Sequence, residues 1–204
     1  MDRPILILAM PRSGSSMTAG IFAKHGVWCG GCTAPNEFNA KGYFENKRLK
    51  RELIIRYGKL TAAGPVTDFE ERPEVVPQDG FAQSVREIIR AEGYRQGPWL
   101  FKFSALYWRA FDDFDPLYVG VRRAGVADAN LGRVRMFGTP DRGRVERMVR
   151  LHYDAIEASG APVVDTDAVV RGDYGTLQSA FDHCGLPFEP EVADHFVDPA
   201  LWHH

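Results

Sequence analysis

The first seventeen residues constrain the fold more than any other part of the chain. Residues 5–9 are all apolar and predict a buried strand, which ends at Met10-Pro11 in a loop of small residues. A helix follows, because Met17, Ile21 and Phe22 recur at helical spacing. A strand, a glycine-containing loop and a helix in this order are typical of a phosphate-binding turn, where backbone N–H groups point at an anion. The start of the chain therefore predicts an anion site.

The composition of the loop indicates which kind of anion it binds. In the phosphate-binding loop of nucleoside triphosphatases, glycine is followed by a lysine and by a hydroxyl residue that holds magnesium. Here Gly14 is followed by Ser15 and Ser16, and the cation is Arg12, with Ser13 between the arginine and the glycine. A guanidinium can bind two phosphate oxygens at once without a metal. We expect Arg12 and residues 13–16 to bind a nucleotide-type anion without obligatory magnesium, against the alternative of an ordinary turn with a capping serine.

Alternating strands and helices predict the fold class. Strands are predicted near residues 4–9, 99–102, 117–121 and 162–166, and helices near 14–25, 45–58, 82–94, 105–112, 124–133, 139–159, 172–184 and 190–196. This alternation is typical of a three-layer α/β fold with a central parallel sheet. Ligands of such sheets bind beyond the carboxyl ends of the strands, where the loop, Lys102 and Arg122 all fall. The length of 204 residues suits a single domain, residues 1–204.

Residues 61–80 form the longest irregular stretch. They contain three prolines and an acidic cluster: Pro65, Pro73 and Pro77, with Asp68, Glu70 and Glu71. Long loops of this kind are often functional. We interpret the stretch as a lid over an acceptor site, and a passive surface loop remains the alternative.

Five segments in sequence order resemble the sulfotransferases that use 3′-phosphoadenosine 5′-phosphosulfate. The loop of residues 11–16 is similar to their 5′-phosphosulfate loop, Pro-Lys/Arg-Ser-Gly-Thr/Ser-Thr/Ser. Residues 39–46 resemble the Asn-Pro-Lys-Gly-Tyr-Phe/Trp-Glu segment of bacterial members, and residues 99–102 a strand that ends in a site lysine. Residues 116–130 resemble the 3′-phosphate segment, and residues 181–188 the C-terminal helix that ends in Leu-Gly-Leu-Pro-Phe. The resemblance implies a compact, bacterial-type enzyme with a P-loop-like nucleotide-binding fold.

The resemblance also implies roles for single residues. Arg12 and residues 13–16 would hold the 5′-phosphosulfate, and Arg12 and Lys102 would stabilise charge in the reaction. Arg122 ends the strand that carries the 3′-phosphate arginine, and Asn130 stands eight residues later in place of the family's serine. The amide of Asn130 can still donate a hydrogen bond. Arg123 is a neighbouring candidate for the same phosphate.

The proton acceptor is where this sequence departs from the family. Cytosolic members carry Lys-x-His at the second strand, with the histidine as base, whereas here Ser104 follows Lys102-Phe103 in place of the histidine. Other branches use a glutamate shortly after the first helix, which leaves Glu37 and Glu45. We favour Glu37 because it falls in a loop, whereas Glu45 begins a predicted helix. A carboxylate base should be partly desolvated, with a raised pKa.

The resemblance thus implies in-line transfer of a sulfuryl group to a hydroxyl or amine of a small-molecule or glycan acceptor. A P-loop small-molecule kinase and a non-catalytic nucleotide-binding protein of the same fold are the alternatives. The net charge of −2 gives no general attraction to nucleic acid. No apolar run approaches the roughly 20 residues that cross a bilayer, so we expect a cytoplasmic protein with no membrane partner. The short chain is compatible with a homodimer that supplies part of the acceptor site.

The cysteines and histidines carry no assigned role from sequence alone. The Cys29-Gly-Gly-Cys32 spacing fits half of a zinc site or a redox pair, but no second pair of matching spacing follows, so we expect no metal. His25 follows the first helix, and His152 falls on a predicted helix with no partner spacing. A helix-end histidine such as His25 is more often structural, and neither histidine is assigned to the site.

Overall fold

The computed structural model describes residues 3–58, 75–134 and 142–202. In the described residues the centre of the molecule is a four-stranded parallel sheet in the order β2-β1-β3-β4. The strands are β1 (Pro4–Ala9), β2 (Trp99–Ser104), β3 (Leu117–Arg122) and β4 (Val163–Asp165).

Helices connect these strands and cover the sheet. They are α1 (Ser15–Lys24), α2 (Lys47–Tyr57), α3 (Phe81–Ala91), α4 (Val126–Val134), α5 (Arg142–Ala158), α6 (Thr166–Val170), α7 (Gly175–His183) and α8 (Pro190–Phe196). Two 3₁₀ helices, Ala105–Phe114 and Pro199–Leu201, complete the described elements.

Each face of the sheet has its own hydrophobic core. Alternate residues of a strand point to opposite faces, and in β1 Ile5 and Ile7 pack in one core while Leu6 and Leu8 pack in the other. Helices α1, α7 and α8 contribute to the first core, and α2, α3, α5 and the longer 3₁₀ helix to the second. Burial on both faces explains the uninterrupted apolar run of β1. The predicted three-layer α/β fold with a parallel central sheet is confirmed.

The strand register brings the functional segments to one edge. Ala9, the last residue of β1, pairs with Ser104 of β2 and with Val121 of β3. The loops that follow these strands therefore leave the sheet side by side, as expected for a parallel sheet. A glycine in α1 brings a further segment to this edge, since a Cβ built on Gly20 would lie 2.2 Å from the ring of Phe196. Only glycine lets α8 pack this closely on α1.

Two local structures differ from the sequence prediction. Residues 105–114 form a 3₁₀ helix, and Ser104 caps it by accepting a hydrogen bond of 3.4 Å from the Leu106 N–H. The short helix α6 follows β4 directly, where the sequence predicted a longer strand. Asp165 begins this helix, because its carboxylate accepts hydrogen bonds from the N–H groups of Asp167 and Ala168.

The predicted lid of residues 61–80 lies mainly outside the described residues, which resume at residue 75. Among the helices of the described residues, none is both long enough and apolar enough to cross a membrane.

Candidate functional site

The loop after β1 forms the floor of a cavity of about 590 Å³ at the carboxyl edge of the sheet. The Ser13 N–H donates to the Met10 carbonyl at 3.3 Å and closes the turn. Arg12 and Gly14 both have positive φ angles, of 68° and 86°. The unusual backbone at Arg12 lies beside a glycine that adopts the same region without strain. The cavity volume falls in the range of small-molecule sites.

The loop presents unused backbone donors to this cavity. Gly14 begins α1, and no side chain caps the helix. Within the described ranges, the backbone N–H groups of Gly14, Ser15 and Ser16 donate no hydrogen bond, while those of Met17 and Thr18 both donate to the Gly14 carbonyl. Three adjacent donors at the positive end of a ten-residue helix form an anion-binding surface. The strand, turn and helix predicted from the sequence are present, and the binding of an anion at this turn stays a prediction.

The position of Gly14 is packed closely against Thr166 and Trp202. A Cβ built on it would lie 2.7 Å from the Trp202 indole and 2.9 Å from Thr166. The Thr166 hydroxyl lies 2.8 Å from the Ser13 carbonyl and 2.9 Å from the Arg122 carbonyl. It thereby joins the loop to the end of β3. The loop is fixed by α6 and by the C-terminal segment that ends in Trp202.

Arg12 and Arg123 bring positive charge to the cavity, and both line it. Arg123 has 8% of its surface exposed, and its guanidinium donates to the Arg12 carbonyl at 3.3 Å. The Trp202 ring covers the same guanidinium at 4.2 Å, and the indole N–H donates to Asp167 at 3.2 Å. This stacking fixes the direction in which Arg123 points.

Arg122 and Asn130 have other contacts. The Arg122 guanidinium stacks on the Tyr153 ring at 4.9 Å and donates to the Tyr153 carbonyl at 3.3 Å. Asn130 donates through its amide nitrogen to the carbonyls of Pro11 and Val126, at 2.8 Å each. Neither side chain is among those that line the cavity. Asn130 therefore contacts the loop from outside the cavity, and Arg123, the residue directly after β3, is the arginine that the fold brings to the cavity.

Lys102 and Glu45 form a buried ion pair beside the loop. The Lys102 ammonium donates to a Glu45 carboxylate oxygen at 2.8 Å and to the Ser16 hydroxyl at 3.3 Å. The second Glu45 oxygen accepts from Lys50 at 2.7 Å. Burial alone would raise the pKa of Glu45, but the two ammonium groups outweigh it and hold that pKa below its usual value. Burial lowers the pKa of Lys102, and Glu45 opposes this shift.

The position of Glu45 is set by the chain around it. Thr33 donates its N–H to the Glu45 carbonyl at 2.9 Å, and Lys47 donates its N–H to the Gly31 carbonyl at 3.1 Å. The Asn46 side chain caps α2 by accepting from Arg48 and Leu49. These contacts hold Glu45 against Lys102. In this position the carboxylate stabilises the charge of the lysine and is poorly suited to accept a proton.

Glu37 lies on a wall of the cavity. Residues 36–43 form this wall, and Glu37 is exposed on it. Tyr43 donates its hydroxyl to the Asn36 side chain at 3.0 Å, and Lys41 donates its ammonium to the Phe196 carbonyl. The wall is thus joined to α8. All four residues predicted to act in catalysis, Arg12, Glu37, Glu45 and Lys102, line one cavity.

A serine and a histidine that the sequence left unassigned also meet at this edge. Ser104, at the end of β2, lines the cavity, and its Oγ lies 2.8 Å from Nε2 of His152 on α5. The other ring nitrogen, Nδ1, lies 2.8 Å from the Met148 carbonyl. His152 is 1% exposed, and burial lowers the pKa of its imidazole to about 4. No sequence spacing links two residues 48 positions apart.

Positively charged side chains and unused amide donors line the same cavity. The loop amides and Arg12 suit one anionic group, Arg123 suits a second, and Lys102 lies beside the loop at Ser16. In residues 3–58, 75–134 and 142–202, no group of three or more His, Cys, Asp or Glu side chains is arranged to hold a metal ion.

The fold of this chain is similar to that of a sulfotransferase domain from the Synechococcus PCC 7002 olefin synthase, with a TM-score of 0.56. The match covers 98% of this chain and 86% of that chain, at 16% sequence identity. The chain has a sulfotransferase-like fold. At the sequence level, no family model and no curated protein matches it.

The sulfotransferase-like fold agrees with the resemblance stated from the motifs. Several lining residues had no motif to identify them, among them Ser104, Phe196, Asp198 and Trp202. Ser104 stands two residues after Lys102 on the same side of β2, which a strand alternation can indicate. The other three lie about 180 residues from the loop that they face, and nothing local in their sequence indicates this contact.

Proposed function

We propose that this protein is a sulfotransferase that moves a sulfuryl group from 3′-phosphoadenosine 5′-phosphosulfate to a hydroxyl or amine of a small-molecule or glycan acceptor. The observation that carries the proposal is the arrangement of the loop. The N–H groups of Gly14, Ser15 and Ser16, which donate to no other group in the described chain, open into the cavity that Arg12, Lys102 and Arg123 line. The sulfotransferase-like fold supports the same reading.

The residues present fit such a donor substrate. A phosphosulfate at the loop would accept hydrogen bonds from the three amides and from Arg12. The second phosphate of the same nucleotide would reach Arg123, which replaces Arg122 as the proposed ligand because Arg123 lines the cavity. Asn130 would act on the loop through the Pro11 carbonyl rather than on the nucleotide. The donor supplies the sulfuryl group, and the chain orients it and stabilises the leaving oxygen.

Lys102 is the proposed cation for the charge that builds on the bridging oxygen. Its ammonium lies 3.3 Å from the Ser16 hydroxyl and therefore beside the loop amides. Glu45 holds this ammonium in place at 2.8 Å. A preorganised cation in a buried site is effective because it needs no reorganisation during the reaction. A Glu45 carboxylate bound to two ammonium groups is a weak proton acceptor, and Glu37 stands exposed at the rim.

Ligand binding and turnover test the proposal in two steps. Thermal unfolding is measured with 3′,5′-adenosine bisphosphate and, in parallel, with ATP and magnesium. The bisphosphate is expected to raise the melting temperature, and Arg12→Ala is expected to weaken this effect by about tenfold or more in dissociation constant. Arg90→Ala, on exposed residue 90 of α3 in the opposite layer, is the matched control and should bind as the wild type does.

Turnover is then measured as release of the bisphosphate from the phosphosulfate donor with a pool of hydroxyl and amine acceptors. In the thermal measurement, a rise in melting temperature with ATP and magnesium but not with the bisphosphate would support a kinase and contradict the proposal. Binding of the bisphosphate without release from the donor, across the whole acceptor pool, would instead identify a non-catalytic nucleotide-binding protein.

A further inference from the structure

We propose that Ser104 and His152 form the proton relay of this site: Ser104 takes the proton of the acceptor while it passes its own proton to His152. The inference rests on the proposed function, because it names the general base of that reaction. Ser104 would be the catalytic residue that touches the acceptor, and His152 would act through it.

The hydrogen bonds of His152 fix its tautomer. Nδ1 lies 2.8 Å from the Met148 carbonyl, and a carbonyl can only accept, so Nδ1 carries the proton. Nε2 then has a lone pair, and the group at 2.8 Å from it is the Ser104 hydroxyl. The serine must therefore donate to the imidazole. A hydroxyl, a base and a third group that orients the base form the arrangement that activates serine in nucleophilic catalysis.

Burial keeps the imidazole of His152 neutral, so that its Nε2 can accept a proton. His152 is 1% exposed, and the lack of solvation for an imidazolium lowers its pKa to about 4. The ring is therefore neutral at ordinary pH, with its Nε2 lone pair on the serine. At this pKa the imidazole matches the basicity of an ordinary carboxylate.

The place of Ser104 suits the acceptor. It lines the same cavity as Arg12 and Lys102, and it stands two residues after Lys102 on β2, so both side chains point to the same face of the strand. The competing carboxylates are less suited, because Glu45 is held by two ammonium groups and Glu37 is exposed, whereas a base should be partly desolvated. Ser104 thus places a hydroxyl on the cavity surface, and this hydroxyl is hydrogen-bonded to the buried imidazole of His152.

Bonds, electrons and protons are all accounted for in the proposed transfer. The acceptor oxygen forms a bond to sulfur as the bond between sulfur and the bridging phosphate oxygen breaks. The electron pair of the broken bond stays on the leaving bisphosphate, beside Arg12 and Lys102. The acceptor proton moves to Ser104 Oγ, and the Ser104 proton moves to His152 Nε2. After product release, the proton returns through Ser104 to solvent.

Ser104 also caps the 3₁₀ helix through the Leu106 N–H, so the variants must separate catalysis from structure. Ser104→Thr keeps both the hydroxyl and the cap, whereas Ser104→Ala removes both. His152→Gln keeps an oxygen that can accept from Ser104 but removes the basic nitrogen. His195→Gln is the matched control, because His195 makes the same backbone bond four residues back, to Glu191, on exposed α8.

The kinetic experiment compares these variants in the release of bisphosphate from the donor. Ser104→Ala and His152→Gln are expected to lower kcat at least about 100-fold, with KM and bisphosphate affinity within about twofold of wild type. Ser104→Thr should recover at least a tenth of the activity, and His195→Gln should leave it unchanged. A kcat of His152→Gln within threefold of wild type would overturn the relay, as would a larger loss in Glu37→Gln than in Ser104→Ala.

A labelling experiment tests the pair without the transferase reaction. Phenylmethylsulfonyl fluoride reacts with an activated serine: a bond forms between Oγ and sulfur, fluoride leaves, and the proton passes to the imidazole. Mass spectrometry is expected to find Ser104 labelled at least about tenfold faster than Ser16, which lines the same cavity and lies beside Lys102 instead of an imidazole. His152→Gln should abolish the preference.

The two experiments separate the two proposals. Labelling of Ser104 in a protein that releases no bisphosphate with any acceptor would overturn the proposed function and with it the relay's role in sulfuryl transfer. Turnover in wild type together with equal labelling of Ser104 and Ser16 would overturn the relay alone.

Discussion

The Lys102 ammonium lies 2.8 Å from the Glu45 carboxylate, with 6% of the lysine side chain and 20% of the glutamate side chain exposed. Removing one partner of such a pair leaves a buried charge without compensation. Glu45→Gln is therefore expected to lower the free energy of unfolding by about 3 kcal/mol, measured by urea denaturation. The double variant Glu45→Gln/Lys102→Met should recover more than half of that loss, because it removes both charges.

Lys50→Met provides the control for this pair. Its own contact with Glu45 is more open, with 44% of the lysine side chain exposed, so its loss should cost less than about 1 kcal/mol. If the stability losses of Glu45→Gln and Lys102→Met simply add in the double variant of these two residues, the buried pair contributes no coupling energy.

The two adjacent arginines at the end of β3 should differ in nucleotide binding. Arg123 lines the cavity, whereas Arg122 contacts the ring and carbonyl of Tyr153. Arg123→Ala is expected to weaken binding of 3′,5′-adenosine bisphosphate about tenfold or more, because a charge-assisted hydrogen bond is lost. Calorimetric titration of both alanine variants measures this. A greater loss in Arg122→Ala would return the second phosphate to Arg122.

Gly14 is predicted to tolerate no side chain. Its φ of 86° disfavours any L-residue, and an added Cβ would lie 2.7 Å from Trp202 and 2.9 Å from Thr166. Gly14→Ala should lower the free energy of unfolding by about 2 kcal/mol or more. Gly97→Ala is the matched comparison, because Gly97 also has a positive φ, of 91°, and an added Cβ there meets no atom of the described residues within 4 Å. Equal losses would leave no role for the packing against Trp202.

His152 should give stability an acid dependence. Its pKa in the fold, about 4, lies below the ordinary value of 6.5, so between these values the unfolded chain binds a proton that the folded chain excludes. The free energy of unfolding must then fall as pH falls from 6.5 to about 4, by roughly 3 kcal/mol. His152→Gln lacks this contribution, and its stability should fall less over the same window. Parallel denaturation series at pH 7, 5.5 and 4.5 measure the difference.

Cys29 should be the most reactive of the three thiols. The neighbouring Cys32 thiol, as a hydrogen-bond partner, lowers the pKa of Cys29 to about 7, although burial opposes this, while burial raises the pKa of Cys184 to about 12. Iodoacetamide reacts with thiolates, so at pH 7.5 it should modify Cys29 well before Cys184 and Cys32. Peptide mass spectrometry over time gives the three rates. Faster modification of Cys184 would contradict the order.

The sequence predicted what depends on neighbours along the chain. The apolar run of residues 5–9, the glycine of the loop and the helical spacing after it determine local geometry, and β1, the loop and α1 form as expected. Whether Arg122 or Arg123 faces the cavity depends on where β3 ends in its register with β4, in which Arg122 is paired with Asp165. That pairing is a tertiary fact, so adjacent arginines could not be told apart from sequence.

The partners of the buried polar groups were beyond sequence reasoning for the same reason. Glu45 and Lys102 are 57 residues apart, and their ion pair exists only because α2 begins beside the end of β2. The raised pKa expected for a base was based on burial alone. In Glu45 the two neighbouring lysines reverse that shift. Likewise, His152 had no partner at helical or strand spacing, and its serine comes from another element.

The contact between Trp202 and Gly14 spans almost the whole described chain. A ribosome makes the loop first and the segment from α8 to Trp202 roughly 180 residues later. The strands of the sheet are therefore made before the segment that covers Arg123, although domains generally fold as units. A chain that ends before α8 lacks the contacts of this segment with Gly14 and Arg123, so we expect it to bind the nucleotide weakly until synthesis of the segment is complete.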